Sequence, residues 1–286
     1  MSAIAVLVVN FNAGRHLRAC LESAAADLAG RDWHAMVVDN ASSDGSAATV
    51  EGLPRVTIVR NGENRGFGAA INQAVAMTES PLLWLLNPDC VVERGAFARL
   101  ESALQAHEDC AIAAPQLLNA DGTTQASARR EPTAWTGLFG RHSLLTRLFP
   151  RSGMARRELP AADLAASAAD SAVVDWVMGA AMLIRRDPFD AVGGFDERYF
   201  LYWEDADLCR RLRGRGWTTR YVPAARVSHP GGLSAGTRQA FATRAFHRSA
   251  YLYYATHIVP SPLHPLRWLA KIALSLRASW RVARGR

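Results

Sequence analysis

Ile4-Ala-Val-Leu-Val-Val-Asn10 is an uninterrupted apolar run that ends at a polar amide. The run is too short for a helix and is typical of a strand buried on both faces of a parallel sheet. Helical spacing follows, with one apolar stripe that holds Leu17, Cys20, Leu21 and Ala24. These residues predict the first strand and helix of an α/β fold.

The alternation of strands and helices continues downstream. Apolar segments predict strands at Met36–Val38, Val56–Val59 and Leu82–Leu86, with a helix over Gly68–Met77 between the last two. Short strands separated by helices indicate an open, mostly parallel central sheet flanked by helices. A further helix is predicted over Glu204–Arg213.

Composition excludes several classes of protein. The chain has 286 residues, of which 49% are hydrophobic and 21% charged, so disorder, collagen and coiled coil are excluded. No apolar run approaches the roughly 20 residues of a membrane span. Residues 1–10 lack the basic start of a secretory signal, and the four cysteines lack zinc-site spacing, so we expect a cytoplasmic protein with reduced thiols.

The charge is unevenly distributed. Residues 1–207 carry 18 basic and 26 acidic side chains, or −8, and residues 208–286 carry 15 basic and no acidic ones, or +15. These values sum to the net charge of +7. An acid-free third indicates a polyanionic partner such as phosphate or an anionic membrane.

Polar residues follow the predicted strands where α/β sheets bind ligands. Singly, Asn10-Phe-Asn12, Asp39 and Asn87-Pro-Asp89 are each typical of turns. In order along the chain, however, stand Val8-Val-Asn-Phe-Asn12, Val37-Val-Asp-Asn-Ala-Ser-Ser-Asp-Gly-Ser46, Asn64-Arg-Gly-Phe-Gly-Ala-Ala-Ile-Asn72, Leu85-Leu-Asn-Pro-Asp89, Gly193-Gly-Phe-Asp-Glu-Arg-Tyr-Phe200 and Leu201-Tyr-Trp-Glu-Asp-Ala-Asp-Leu208. This set, over roughly residues 1–235, resembles GT-A glycosyltransferase family 2, and within it the bacterial rhamnosyltransferase-like branch.

The resemblance implies a Rossmann-like GT-A fold and an inverting transferase that uses a nucleotide-diphospho sugar. Inversion needs a base for the acceptor hydroxyl and a means of stabilising the departing diphosphate. Asp205 matches the family's base, and Trp203 and Glu204 beside it are expected to bind the acceptor. The alternative is that the acidic residues here only favour a helix N-terminus.

The resemblance also implies a donor site. Asp39 would accept a hydrogen bond from the pyrimidine ring N–H. The other expected donor-binding residues are Asn10, Asn12, Asn64, Arg65, Gly66, Asn87 and Asp89, although Arg65 also fits a surface ion pair.

A divalent metal, Mg²⁺ or Mn²⁺, is expected at Asp89. Many relatives carry Asp-x-Asp where this chain has Asn87-Pro-Asp89, so one carboxylate and the diphosphate oxygens would hold the ion. His229 matches a family histidine that completes the site, and an imidazole would favour Mn²⁺. The alternative for His229 is an ordinary hydrogen-bonded histidine.

A basic tail follows Pro260. On a helix, an apolar face would hold Leu266, Leu269, Ile272, Leu276 and Trp280, with Arg267, Lys271, Arg277 and Arg281 mostly on another. Such a helix suits an anionic membrane surface, and the alternative is a helix docked on the catalytic domain. We therefore divide the chain into a catalytic domain at 1–259, with a donor half to about residue 125 and an acceptor half from 126, and a tail at 260–286.

The sequence favours transfer of L-rhamnose from dTDP-L-rhamnose to a lipid-linked saccharide at the inner face of the bacterial cell membrane. Transfer of another hexose from a UDP-sugar is the alternative within enzymes. A nucleic-acid-binding protein would fit the basic third, but no zinc finger, recognition helix or RNP motif supports it. A pseudoenzyme scaffold is disfavoured by the intact Trp203-Glu-Asp205 block. The irregular stretch 126–170 is expected to select the acceptor.

Overall fold

The computed structural model describes residues 3–132, 170–230 and 239–284. Before the first gap lie β1 (Ile4–Asn10), α1 (His16–Asp27), β2 (Trp33–Asp39), β3 (Val56–Arg60), α2 (Phe67–Val75), β4 (Leu82–Leu86), β5 (Val91–Val92), α3 (Ala96–Ala106), β6 (Cys110–Leu118) and β7 (Ala128–Arg129). Between the gaps lie β8 (Ala172–Val174), β9 (Trp176–Val177), β10 (Ala181–Arg185), α4 (Arg186–Ala191), α5 (Glu204–Arg213) and β11 (Thr218–Ser228). The last part holds α6 (Gln239–Tyr253), a π-helical turn (Tyr254–Ile258) and α7 (Pro265–Arg284).

Nine of the described strands form one sheet, in the order β3-β2-β1-β4-β10-β6-β11-β5 with β8 beside β11. β1 pairs in parallel with β2 and β4, β2 with β3, and β6 with β11. β10 runs antiparallel between β4 and β6. The predicted α/β class with a mostly parallel sheet is confirmed.

Helices cover both faces of the sheet, as its fully buried strands require. One face packs on apolar side chains of α1 and α3, including Leu17, Leu21, Phe97 and Leu100. The other packs on α2, α4 and α5, including Ile71, Phe189, Leu208 and Leu212. The four residues predicted on the stripe of α1 are all buried.

The register brings the carboxyl ends of the first strands to one edge. Asn10 pairs with Asp39, and Val8 lies opposite Leu86, just before Asn87. The candidate residues that follow β1, β2 and β4 therefore lie at one edge of the sheet, beyond the carboxyl ends of its strands, where open α/β sheets bind their ligands.

The predicted boundaries differ in places. β2 begins at Trp33, three residues before the predicted start, because Trp33 and Ala35 enter the core while His34 is half-exposed. α2 ends at Val75, two residues early. The strand β4 and the helix Glu204–Arg213 have the predicted bounds. The irregular stretch 126–170 lies mostly outside the described residues.

The tail forms a helix that presents its apolar face outward. Side chains along that face are 49–66% exposed in α7: Leu266, Leu269, Ile272, Leu276 and Trp280. α7 packs on α6 through its other side, where Ala278 and Val282 are buried. No helix in the described ranges has both the length and the apolarity to cross a bilayer.

All four cysteines are buried free thiols, as expected. Burial raises the pKa of Cys110 and Cys209 to about 11. The same cause raises the pKa of Cys20 and Cys90, so none of these thiols forms a reactive thiolate at neutral pH.

Candidate functional site

Asn10 and Asp39 form the first part of the site. The Asn10 side chain is fully buried, and its Nδ2 donates to Asp39 Oδ1 at 2.7 Å and to Ser46 Oγ at 2.8 Å. Asp39 is 6% exposed at the end of its strand. Asn10 therefore holds the Asp39 carboxylate in place.

Asn12 lies in the loop after β1 with a left-handed backbone, at φ 53°. Its Oδ1 accepts the backbone N–H of Ser43 at 2.8 Å, and its own N–H donates to Ser42 Oγ at 3.0 Å. These bonds join the loop after β1 to the loop after β2, so the two loops that flank Asp39 are fixed relative to each other.

Gly66 joins two of the sequence blocks. Its φ is +89°, and a Cβ placed there would lie 2.6 Å from the carbonyl oxygen of Phe200. The N–H of Phe67 donates to that same carbonyl at 3.0 Å. Asn64 Oδ1 accepts the N–H of Gly66, whereas Arg65 is exposed, with Nη1 at 3.4 Å from Gln73 Oε1.

Asn87, Asp89 and His229 come together although they are far apart in the sequence. His229 Nε2 lies 3.4 Å from Asp89 Oδ1 and 3.3 Å from Asn87 Nδ2. Both His229 and Asp89 are buried, at 7% and 8% exposure. The structure thus brings the two predicted metal ligands face to face.

Gln125 orients the His229 ring. Its Nε2 donates to the His229 carbonyl, and its Oε1 lies 3.2 Å from Nδ1. Because Oε1 only accepts, Nδ1 carries the proton and Nε2 of the neutral ring bears the lone pair. That lone pair and the Asp89 carboxylate can both coordinate a metal, so the two side chains are suited to hold a cation between them.

The donor set at this point is small. No group of three or more His, Cys, Asp or Glu side chains suited to a metal occurs among the described residues. An ion held by Asp89 and His229 would therefore take its remaining ligands from substrate oxygens and water.

Asp205 lies in the first turn of α5, with both carboxylate oxygens placed by backbone donors. Oδ2 accepts the N–H of Gly179 at 3.0 Å, and Oδ1 accepts that of Ala206 at 2.7 Å. Burial raises the pKa of Asp205, while these hydrogen bonds and Arg129 oppose the rise. A desolvated carboxylate is a stronger base, and each oxygen keeps a lone pair for a proton.

Gly179-Ala180 connects Asp205 to Asn87. The N–H of Gly179 binds Asp205, and the carbonyl of Ala180 accepts the N–H of Asn87 at 2.7 Å. The carboxylate of α5 and the polar turn after β4 are therefore separated by two residues of backbone.

Trp203 and Glu204 directly precede Asp205 and pack beside it. Glu204 is 6% exposed, and within the described ranges its Oε2 has no hydrogen-bond partner. Burial, and secondarily the Asp205 carboxylate, raises the pKa of Glu204 to about 8. Trp203 packs against Phe246 and Tyr253 of α6, with ring centroids 5.7 and 5.3 Å away.

Several organising residues were not predicted from the sequence. Gln125, Gly179 and Ala180 lie outside the motif blocks, and no local pattern distinguishes them. Asn72 ends a motif block, and its side chain binds both the N–H and the carbonyl of Phe195 at 2.9 Å. Asn72 and Gln73 are the two polar side chains of the mainly apolar helix α2, and this pattern was the signal for such a contact.

Known families and proteins match this chain. A family model described as "Glycosyltransferase like family 2" matches residues 2–251. The N-acetylglucosaminyl-diphospho-decaprenol L-rhamnosyltransferase of Mycobacterium tuberculosis is 32% identical over 289 residues, covering 96% of this chain and 91% of the relative.

Solved structures share the fold. The mannosyltransferase PcManGT from Pyrobaculum calidifontis, in complex with GDP-Man and Mn²⁺, superposes with a TM-score of 0.60 at 16% identity, over 99% of this chain and 72% of that one. GalNAc-T7 with UDP, GalNAc and Mn²⁺ gives a TM-score of 0.61 at 16% identity, over 98% and 55%. The expected GT-A fold is confirmed.

Proposed function

The chain belongs to glycosyltransferase-like family 2 and is a glycosyltransferase of glycan synthesis; we propose that it transfers L-rhamnose from dTDP-L-rhamnose to a lipid-linked saccharide. The L-rhamnosyltransferase relative, which matches over most of both chains, supports L-rhamnose as the transferred sugar and a lipid-linked saccharide as the acceptor. Inversion of a β-linked donor would give an α-L-rhamnoside.

The link between Asp205 and Asn87 through Gly179-Ala180 carries the proposal. Asp205 takes the proton of the acceptor hydroxyl while that oxygen attacks C1 of the sugar. The bond from C1 to the diphosphate oxygen breaks on the opposite side, and the nucleoside diphosphate leaves as an anion. Stabilisation of that leaving group is assigned to the Asn87-Pro-Asp89 turn.

The donor's base is assigned to the Asp39 carboxylate, which Asn10 holds in place. Asp39 accepts the pyrimidine ring N–H, while Asn12, Asn64, Arg65 and Gly66 line the ribose and diphosphate. A Cβ at Gly66 would collide with the backbone of Phe200. Gly66 therefore also lets the segment that contains Asn64 and Arg65 pack closely against the segment that leads into α5.

A divalent cation is assigned to Asp89 and His229, whose acceptor atoms face each other at 3.4 Å. Mg²⁺ or Mn²⁺ bound there would neutralise charge on the diphosphate. The imidazole ligand and the Mn²⁺ in the neighbouring structures favour Mn²⁺.

The acceptor saccharide is assigned to the surface formed by Trp203 and Glu204. Trp203 supplies an aromatic wall braced by α6. Burial, and secondarily Asp205, raises the pKa of Glu204 to about 8, so a protonated Glu204 adds little negative charge beside the base at neutral pH.

We place the enzyme at the inner face of the cell membrane, held by the tail at 260–286 beyond a catalytic domain at 1–259. The exposed face of α7 supports this, since an apolar patch of this kind marks an interaction surface. Lys271 and Arg284 flank the patch, and the segment has no acidic residue to repel anionic lipids.

A transfer assay tests the proposal. The protein is incubated with N-acetylglucosaminyl-diphospho-lipid and either dTDP-L-rhamnose or a UDP-hexose, and products are identified by mass. A rhamnosylated lipid is expected. If only the UDP-hexose gives a product, the donor assignment is replaced by that sugar. If neither nucleotide sugar gives a product and neither binds, the proposed function is overturned.

A further inference from the structure

The segment that carries the base is braced along its length by α6. Ser249 Oγ donates to the Leu201 carbonyl at 2.9 Å, and the rings of Phe246 and Tyr253 contact Trp203. The π-helical turn after α6 then reaches the first turn of α5 through His257. One helix thus supports the segment Leu201–Trp203 that leads into α5, which we call the acceptor loop.

This support is needed because the loop is strained. Tyr202 and Trp203 have φ of 68° and 72°, in the left-handed region where side chains other than glycine are disfavoured. Each such residue costs about 1–2 kcal/mol. Packing from outside the loop must offset that cost, and α6 supplies it.

Asp207 is the point where α5 is fixed. Its side chain is fully buried, and a buried carboxylate needs charged or hydrogen-bonded partners. Oδ2 accepts Nε of Arg211 at 2.6 Å, and Oδ1 lies 2.6 Å from Nε2 of His257. Arg211 lies one turn along the same helix, so His257 is the partner that ties this turn to the C-terminal helices.

The π-helical turn sets the direction of His257. Its ring lies against Tyr253, with centroids 4.8 Å apart, and its carbonyl accepts Nη2 of Arg210 at 3.0 Å. π-Helical turns are rare and are frequently found at functional sites. The imidazole is therefore held by its ring face and its backbone, with Nε2 directed at Asp207.

We propose that His257 is a positioning residue for the transfer reaction: its Nε2–H bond to Asp207 fixes the first turn of α5 and so the position of Asp205. The proposal rests on the function assigned above. It also connects the base to the helix pair whose outer member presents the apolar face, because the Arg210 guanidinium of α5 lies over the Tyr253 ring of α6, and α6 packs on α7.

Two amides of different reach test the bond. In His257→Gln the side-chain nitrogen extends to the position of Nε2 and can donate to Asp207, whereas in His257→Asn it ends at the position of Nδ1. We expect kcat to fall between about 10-fold and 10²-fold in His257→Asn, with the KM for the donor within about two-fold of the parent. His257→Gln should keep most of the activity. The same substitutions at His264, which is exposed, are the controls.

Hydrogen exchange provides a readout that does not depend on activity. Amides of residues 204–209 should exchange at least about tenfold faster in His257→Asn than in the parent and His257→Gln, whereas amides of α3, on the opposite face of the sheet, should exchange alike in all three. If the parent transfers no sugar, the assigned function fails while exchange still decides the inference. Equal exchange in the two variants, equal kcat, or a parallel loss of kcat and donor affinity would overturn the proposal.

Discussion

The backbone N–H of Gly179 lies 3.0 Å from Oδ2 of Asp205. This bond aims one carboxylate lone pair at the backbone and leaves the other for a substrate proton. Because both carboxylate oxygens accept backbone N–H groups, the position of the carboxylate depends on the β9–β10 connection and on α5.

Asp205→Asn should reduce kcat by about 10²-fold or more, because an amide cannot take the acceptor proton. Donor affinity should be unchanged, since the donor contacts are assigned to other residues. Initial rates and calorimetric titration with the donor would measure the two effects. Asp187→Asn, an exposed acid on α4, is the matched control; near-parental turnover in folded Asp205→Asn would remove Asp205 as the base.

Glu204→Gln should stabilise the protein increasingly as pH rises. The pKa of Glu204 is raised from 4.5 to about 8, so the folded state holds a proton that the unfolded state has released across that window. Parental stability attributable to this group is complete below pH 4.5 and is lost as pH rises toward 8. Melting temperatures of parent and variant at pH 5 and pH 8 test this: a difference that does not grow with pH contradicts a protonated Glu204.

Asp89→Ala should weaken dTDP binding far more in Mn²⁺ than in EDTA, because the carboxylate would hold the ion against the diphosphate. His229→Ala should show the same pattern more mildly. Gln125→Leu, which removes the acceptor for Nδ1–H, should cost about 10-fold to 10²-fold in metal-dependent affinity. Parental binding that is equal with and without metal would argue against any cation at this point.

Gly66→Ala should destabilise the protein more than Gly122→Ala. Both glycines have positive φ, +89° and +79°, so each substitution costs about 1–2 kcal/mol in backbone strain. The Gly122 site is open, whereas a Cβ at residue 66 meets the Phe200 carbonyl at 2.6 Å. Urea unfolding would measure the loss of unfolding free energy in each variant. Equal losses would mean that the close contact between Gly66 and Phe200 contributes nothing to stability.

Leu269→Glu with Ile272→Glu should abolish sedimentation with anionic vesicles while leaving the fold intact. Both side chains face outward, at 61% and 56% exposure. Losing two aliphatic contacts with the bilayer, each of about 1.5 kcal/mol or more, lowers the partition by about 10²-fold or more. Met77→Glu, at 52% exposure after α2, is the control. Undiminished sedimentation would place the membrane contact elsewhere or nowhere.

The sequence was informative where structure is local. Continuous apolar runs predicted β1 and β4, and the helix predicted over Glu204–Arg213 is α5. The reversed strand β10 was not predicted, because its direction depends on pairing with β4 about a hundred residues away. Contacts such as Gln125 with His229, or His257 with Asp207, have no local pattern, because each joins residues that only the fold brings together.

The burial of all four thiols has a practical consequence. Maleimides and spin labels react with exposed thiolates, so the natural side chains will be nearly silent toward them. A single cysteine introduced at Ser279, an exposed position on α7, would then be labelled selectively in the otherwise unaltered chain. Fluorescence or spin-label relaxation at that one point would report the depth and kinetics of bilayer docking directly.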